Sequence, residues 1–295
     1  MVAWALRFAL ALCALATALC AQAEPLQVID DRGQPIRLAA PAQRIVSLAP
    51  HTTELLFAID AGAHIVGAVD YSDYPQAAKT IPRVGSSDAL DIEAIRALRP
   101  DLIVLWMRSH AYRQIDILKA LGIPVFVNDP HRLDDIPVAL ERLGVLTGTS
   151  PQAQVAVAVF RQRIATSQAN YAQRKPVRVF YQVWDRPLMT IGGAQVITDV
   201  LRICGAVNVF AHLPALAPVV DIEAVLAADP EMIITSGERD QAWRQAWLRW
   251  PQLQAVRAQN LVVLPPDLLS RMGPRMAEGV EQVCAAVEQV RAKRK

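Results

Sequence analysis

Short apolar runs alternate with segments of helical spacing along most of the chain, and this alternation predicts an α/β fold. Strands that alternate with helices usually form parallel sheets through crossover connections. The pattern stops after residue 148 and resumes at residue 177, which predicts two similar α/β lobes with mainly parallel sheets. The predicted strands are 44–49, 66–69, 102–106 and 125–128 in the first half, and 177–183, 232–236 and 261–264 in the second.

The segment between the two halves has a different character. Residues 152–174 contain neither glycine nor proline and are rich in Ala, Gln and Val. A helix there would be about 34 Å long at 1.5 Å per residue, enough to cross one lobe. We therefore predict an N-terminal lobe at 24–150, one long linking helix at 151–175 and a C-terminal lobe at 176–295. This arrangement leaves a ligand cleft between the lobes.

One helix–strand segment occurs twice, at residues 90–105 and 220–235. Each copy has an aspartate before an Ile-Glu-Ala helix start, then a proline and a β-branched run, and aspartate is a good helix N-cap. The interval between Glu93 and Glu223 has the size of a domain, which supports two similar lobes rather than a solenoid. Each glutamate also suits the first turn of a helix, where the helix dipole favours a carboxylate.

The first 23 residues predict a secretory signal peptide. Arg7 precedes an apolar run at 8–21, and residues 21–23 (Ala-Gln-Ala) form a small-x-small cleavage site before Glu24. The run is shorter than the ~20 residues that a membrane-spanning helix needs. Lipidation at Cys20 is the weaker alternative, because leucine directly before the cysteine fits a lipobox poorly. The sequence therefore predicts an exported protein.

Composition restricts the partners and the redox chemistry. An apolar content of 53% indicates a folded protein, and a net charge of +2 gives no reason to propose a nucleic-acid partner. Cleavage of the signal peptide would leave Cys204 and Cys284 as the only cysteines. In an oxidising compartment they could form a disulfide, or both could remain buried free thiols.

Residues directly after the predicted strands should line the cleft, because open parallel sheets bind ligands beyond the carboxyl ends of their strands. Any one of them could instead be structural. As a set they combine aromatic faces with a few polar groups, which suits a large, flat and partly apolar ligand. The candidates include Tyr71, Trp106, Trp184, Asp267 and Arg271.

Metal binding and catalysis are less favoured than ligand binding. His51, His110 and His131 follow predicted strands, and imidazole binds transition metals and haem iron. They lack the close spacing of common metal motifs, so surface or capping roles are favoured and no metal site is predicted. The sequence has no G-x-S-x-G elbow, Walker loop or G-x-G-x-x-G motif, so we predict a binding protein and not an enzyme.

Several of these stretches resemble the periplasmic substrate-binding proteins of cobalamin ABC importers. The resemblance covers nearly all of the chain after the signal peptide, in order. It implies a periplasmic monomer of the helical-backbone class, with limited hinge motion and no cofactor, in which the corrinoid is the transported ligand. The matching stretches include Arg44-Ile45-Val46-Ser47-Leu48-Ala49-Pro50, Tyr71-Ser72-Asp73-Tyr74-Pro75, Leu98-Arg99-Pro100-Asp101-Leu102-Ile103-Val104, Cys204-Gly205 and Pro274-Arg275.

The resemblance also implies roles for individual residues. Family members use one surface glutamate on each lobe to dock into arginine pockets of the membrane permease, and Glu93 and Glu223 match those positions. Tyr71 matches a corrinoid-contacting tyrosine, and Trp106 falls at a matching cleft position. Cys204 and Cys284 match the family's disulfide.

The remaining ligand positions match less completely. Asp267 and Arg271 correspond to the polar part of the second-lobe wall. Two cleft tryptophans of the family are replaced by Ser87 and by Ala217 or a neighbour, and Trp184 could supply a flat surface instead. Because relatives on this fold also bind haem or ferric siderophores, either remains the alternative ligand.

Overall fold

Two four-stranded parallel sheets form the centres of two lobes in a computed structural model, which describes residues 25–86, 88–237 and 241–294. For residues 110 and 111 only the backbone is described. The predicted signal peptide and Ser87 lie outside the described residues.

The N-terminal lobe begins with an antiparallel hairpin, β1 (Leu26–Ile29) and β2 (Pro35–Leu38), which the sequence patterns did not predict. The sheet that follows has the spatial order β4-β3-β5-β6, and all of its strands are parallel. Its strands are β3 (Ile45–Ser47), β4 (Ile65–Ala68), β5 (Leu102–Trp106) and β6 (Val125–Asn128). The α-helices of this lobe are α1 (Pro50–Ala58), α2 (Ile92–Ala97), α3 (Ile115–Ala120) and α4 (Asp135–Thr147), with 3₁₀ turns at Gly62–His64, Gln76–Thr80 and His110–Gln114.

Helix α5 (Ser150–Tyr171) links the lobes and contains 22 residues, so it is about 33 Å long. It follows α4 after a tight turn at Gly148, whose φ of +72° lies in the left-handed region that glycine adopts easily. A Cβ atom on Gly144 would lie 2.5 Å from Ala153 Cβ, so glycine is needed where α4 and α5 pack together. The linking helix buries Ala153, Val157 and Phe160 against both lobes.

The C-terminal lobe repeats the topology of the first. Its sheet has the order β10-β7-β11-β12, so in both sheets the lobe's first sheet strand lies between its second and third. The strands of this lobe are β7 (Val177–Gln182), β8 (Trp184–Asp185), β9 (Leu188–Met189), β10 (Ala206–Asn208), β11 (Met232–Ser236) and β12 (Leu261–Leu264). Its helices are α6 (Val196–Ile203), α7 (Ile222–Ala228), α8 (Gln241–Leu248), α9 (Gln254–Arg257), α10 (Pro266–Ser270) and α11 (Met276–Ala292).

These sheets confirm the predicted fold class: two similar α/β lobes, with mainly parallel sheets and one linking helix. One buried apolar cluster runs from β1 through α1, α4 and α5 into β7, α6 and α11, so the lobes share a continuous core. No helix in the described ranges is both long and apolar enough to span a bilayer.

The repeated segment forms helices α2 and α7, and their first turns have the same hydrogen bonds. Asp91 Oδ1 accepts from the Ala94 amide at 2.8 Å, and Asp221 Oδ1 accepts from the Ala224 amide at 2.7 Å. Because the aspartates cap the helices, neither Glu93 nor Glu223 is needed as the cap, and both are exposed.

Cys204 and Cys284 form a disulfide, with their Cα atoms 4.6 Å apart. Of the two states that the cysteines could adopt, the bonded pair is therefore the correct one. Cys204 ends α6 and Cys284 lies within α11, and both are fully buried. The bond thus joins two helices on one side of the C-terminal sheet.

Removal of this disulfide should lower the free energy of unfolding. The bond closes a loop across 80 positions, which on a loop-closure model contributes about 4.5 kcal/mol by restricting the unfolded chain. Urea unfolding of a Cys204→Ala, Cys284→Ala variant, compared with wild type, measures the loss. An unchanged free energy would mean that the bond does not restrict the unfolded state.

Candidate ligand cleft between the lobes

A cavity of about 690 Å³ lies between the lobes, beyond the carboxyl ends of both parallel sheets. The N-terminal lobe contributes residues that follow β5 and β6, and the C-terminal lobe contributes residues around β7, β11 and α10. Loops before α6 and α7 complete the second wall. Lining residues include Trp106, Arg108, Pro130 and His131 from the first lobe, and Tyr181, Trp184, Ile191, Gln195, Ala217, Ser236 and Ser270 from the second.

Aromatic side chains from both lobes border the cavity. Trp106 is the last residue of β5, and the His51 ring packs against it edge-on, with centroids 5.4 Å apart and an interplanar angle of 86°. Trp184 lies on β8 of the other lobe and is 53% exposed. The Tyr181 hydroxyl and Ser236 Oγ are 2.7 Å apart. The cleft therefore offers flat apolar surface on both sides.

A polar corner on the first-lobe wall contains Arg108, Asp129 and His131. Arg108 Nε lies 2.8 Å from Asp129 Oδ1, and Arg108 Nη2 lies 2.8 Å from His131 Nε2. His131 Nε2 is also 2.9 Å from Asp129 Oδ2. We call these three residues the Arg108 corner. It brings a guanidinium group to a cavity with an otherwise largely apolar lining.

A second set of polar side chains joins the two lobes beside the cavity. Glu54 of α1 accepts from Arg275 Nη2 at 2.6 Å and from Arg271 Nη1 at 3.2 Å, although both arginines belong to the other lobe. Arg271 Nη1 also donates to Asp73 Oδ1 at 2.7 Å, and its Nη2 lies 3.1 Å from Asp267 Oδ1. These five residues form what we call the interlobe ion cluster.

Burial makes the cluster interactions strong. The Glu54 side chain is only 1% exposed, and those of Arg271 and Arg275 are 11% and 18% exposed. Hydrogen bonding to Glu54 raises the pKa of Arg275. For Arg271, desolvation lowers the pKa, but hydrogen bonds to Asp73 and Glu54 and the charge of Asp267 raise it above the ordinary value. A buried charge without its partner is costly, so the cluster favours one relative position of the lobes.

The structure brings only part of the predicted ligand set to the cavity lining. Trp106 and Trp184 line it on opposite lobes. Tyr71 is 78% exposed and lies outside the lining, in the loop after β4. Asp267 and Arg271 belong to the interlobe ion cluster rather than to the lining. Ala217, which was expected with its neighbours to stand in place of a family tryptophan, lines the cavity.

The two histidines whose side chains are described, His51 and His131, have separate hydrogen-bond partners. His51 is buried, and its Nε2 lies 3.0 Å from Asn128 Oδ1. His131 belongs to the Arg108 corner, and the side chain of His110 lies outside the described part of the chain. Among the described residues, no group of three or more His, Cys, Asp or Glu side chains could hold a metal ion.

The sequence patterns did not predict that the loops before α6 and α7 line the cavity, because the strand-end rule selects only residues that follow strands. The pair Gly192-Gly193 could have indicated them. A Cβ atom on Gly192 would lie 2.0 Å from the Ala215 carbonyl oxygen, so this backbone approach requires glycine. It places the segment that begins at Ile191 beside the one that ends at Ala217, and both line the cavity.

Comparison with known proteins agrees with this architecture. Residues 45–268 match the family model described as periplasmic binding protein. The vitamin B12-binding protein of Vibrio cholerae is 37% identical over 245 residues, which cover 83% of this chain and 88% of that protein.

Solved structures show the same likeness. A crystal structure of the periplasmic vitamin B12-binding protein of Vibrio cholerae has a TM-score of 0.77 at 35% identity, covering 85% of this chain and 98% of that one. A periplasmic heme-binding protein from Pseudomonas aeruginosa has a TM-score of 0.73 at 28% identity, covering 83% and 92%. The fold therefore occurs with different ligands.

His51 should make the protein less stable in mild acid. Burial lowers its pKa from 6.5 to about 4, despite its bond to Asn128 and the nearby charge of Asp129, which raise it. Between pH 6.5 and pH 4 the unfolded chain therefore binds a proton that the folded protein rejects. The free energy of unfolding should fall by about 3 kcal/mol over this window from this group alone.

Urea unfolding at several pH values, with wild type compared against His51→Gln, isolates this contribution. The difference in free energy between the two proteins should be constant above pH 7 and should change as the pH falls from 6.5 to 4. NMR should show a neutral His51 ring at pH 5. Protonation of the ring with an ordinary pKa would contradict the assignment.

Proposed function

The chain belongs to the periplasmic binding protein family, and on that premise we propose that it captures cobalamin and delivers it to an ABC importer. The observation that carries the proposal is the cavity between the lobes, which Trp106 and Trp184 border from opposite sides. Flat aromatic surfaces on two lobes suit a large ring system such as corrin. Cobalamin is then cargo rather than a cofactor, and the protein acts by binding, without catalysis.

The likeness to proteins named for vitamin B12 supports this ligand. Among the solved structures, identity is 35% with the Vibrio cholerae protein and 28% with the Pseudomonas aeruginosa heme-binding protein. Cobalamin also carries its own axial base for the cobalt, so it does not require a metal ligand from the protein, whereas haem iron takes axial ligands from the protein.

Haem or a ferric siderophore is the second candidate, because the Pseudomonas aeruginosa protein shares the fold. Tyr181 and His131 line the cavity and are residue types that bind haem iron. The Tyr181 hydroxyl, however, is hydrogen-bonded with Ser236, and His131 Nε2 is held in the Arg108 corner. Either group would have to leave these partners to ligate iron through those atoms, which makes cobalamin the better candidate.

Tyr71, Asp267 and Arg271 complete the proposed ligand set from outside the cavity lining. Arg271 contacts both Asp73 and Asp267. It therefore holds the loop that carries Tyr71 beside α10, whose Pro266, Leu269 and Ser270 line the cavity. In this proposal they contact the rim of a ligand that extends beyond the cavity.

Glu93 and Glu223 are the proposed docking residues for the membrane permease. Both carboxylates are exposed in the first turn of a short helix, one on each lobe. Within the described residues, neither forms an ion pair, so both can accept charge-assisted hydrogen bonds from arginines of a partner. Two such contacts far apart would fix the orientation of the protein on the permease.

The proposed mature protein begins at Glu24, after removal of residues 1–23 in export, and works in the periplasm as a monomer. Membership of a periplasmic family agrees with this location. The apolar run at 8–21 and the Ala-Gln-Ala site support cleavage.

Calorimetric titration of residues 24–295 with cyanocobalamin, and separately with haemin, tests the ligand. We expect one-to-one binding of cyanocobalamin and much weaker binding of haemin. Trp106→Ala and Trp184→Ala should each lower cobalamin affinity by roughly tenfold through loss of an aromatic contact. Trp250→Ala is the matched control, because Trp250 lies outside the cavity lining. Preferential binding of haemin would overturn the proposal in favour of the second candidate.

Charge reversal at both docking residues should impair uptake without changing ligand affinity. In cells that depend on this protein for cobalamin, a Glu93→Arg, Glu223→Arg variant should transport at least tenfold more slowly, because arginine repels the permease's own arginines. An Asp116→Arg, Asp134→Arg variant is the matched control, because it makes the same change in net charge at two other exposed carboxylates. Normal transport by the first variant would refute the docking role.

A further inference from the structure

The described lining of the cavity contains one arginine and no lysine, and that arginine is Arg108. It follows β5 on the first-lobe wall, two residues after Trp106. A cation on the same cavity wall as an aromatic side chain marks where a polar or anionic part of a flat ligand would lie.

Contacts behind Arg108 hold it in place. Asp129 is 9% exposed, and its amide donates to Asp31 Oδ2 at 2.6 Å. The amides of His131 and Arg132 both donate to Asp135 Oδ2 at 2.8 Å. The loop that positions the guanidinium is therefore anchored at both ends.

The guanidinium of Arg108 is held in one orientation by two of its three nitrogen atoms. Its Nε and Nη2 atoms face Asp129 and His131, whereas no described residue accepts a hydrogen bond from Nη1. The Arg108 side chain is also 36% exposed. The Nη1 edge of the planar donor group thus remains available to a ligand in the cavity.

We propose that Arg108, positioned by Asp129 and accompanied by His131, binds the phosphodiester of the cobalamin nucleotide loop. This inference rests on the proposed function. The amide side chains of the corrin are neutral, so the phosphodiester is the one anionic group at the ligand's periphery. A guanidinium group makes strong, directional hydrogen bonds to phosphate oxygens.

The opposite wall offers a weaker alternative for the anion. Helix α6 begins beside the cavity, but the side chain of Gln195 already accepts from the Ile197 amide there. That helix end therefore has fewer free donors for a phosphate. The observations favour the Arg108 corner.

Three corrinoids that differ around the phosphate test the inference: dicyanocobinamide, which lacks the nucleotide loop, cobinamide phosphate and cyanocobalamin. With wild type, both phosphate-containing ligands should bind about tenfold or more tightly than dicyanocobinamide. Arg108→Met should remove this difference and leave dicyanocobinamide affinity within twofold. Arg132→Met should behave like wild type, because Arg132 is an exposed arginine of the neighbouring loop after β6 and lies outside the cavity lining.

Arg108→Met leaves the buried Asp129 without its cationic partner, so Arg108→Met with Asp129→Asn is measured in parallel to separate folding from recognition. An equal loss for all three ligands in both variants, or no loss in either, would overturn the inference while leaving the proposed function intact. Failure of wild type to bind any corrinoid, with or without binding of haemin, would overturn the proposed function and the inference together.

Discussion

Glu54 is the charge on which the geometry of the cleft depends. It is a buried carboxylate of the first lobe, and its hydrogen-bond partners Arg271 and Arg275 come from the second. Burial of all three groups is tolerated only while they remain together, since separation would leave desolvated charges without partners. The stacking of the Arg275 guanidinium 4.0 Å above the Tyr74 ring adds a further contact across the same junction. The spacing between the walls that carry Trp106 and Trp184 follows from this junction.

Apolar packing restricts the lobes in the same way. The buried cluster that contains Phe160 of α5 continues into both lobes, so a large opening would expose core residues to water. Arg163 of the same helix makes two hydrogen bonds to Glu281 of α11, each 2.7 Å long. We therefore expect the ligand to enter a cleft that is already largely formed, with only small adjustments of the lobes.

The parts of the fold that follow from local rules could be predicted from the sequence. The buried strand Leu102–Trp106, the long helix α5 and the capped helices α2 and α7 all depend on apolar periodicity, on the absence of glycine and proline, or on an aspartate at a helix start. The hairpin β1–β2 was missed because its strands are short and half exposed, so their apolar pattern is weak.

The site was only partly predictable for a related reason. A strand-end position indicates that a residue is near the cleft, and this was sufficient for Trp106. It does not indicate which other residue the side chain will contact in the folded protein. Arg271 was expected on the cleft wall, but its position depends on Glu54, which lies 217 positions earlier in the chain. Pairings of this kind come from tertiary structure and leave no periodicity in the sequence.

The disulfide makes the attachment of one cavity-lining helix depend on the redox state of its surroundings. Helix α6 contributes Val196 and Ile197 to the cavity wall at one end, and at its other end Cys204 is bonded to Cys284. In a reducing cytoplasm the two cysteines remain thiols, and the helix lacks its covalent anchor on α11. Oxidation outside the cytoplasm adds the anchor. This end of α6 is therefore covalently fixed only under the oxidising conditions of a compartment such as the periplasm.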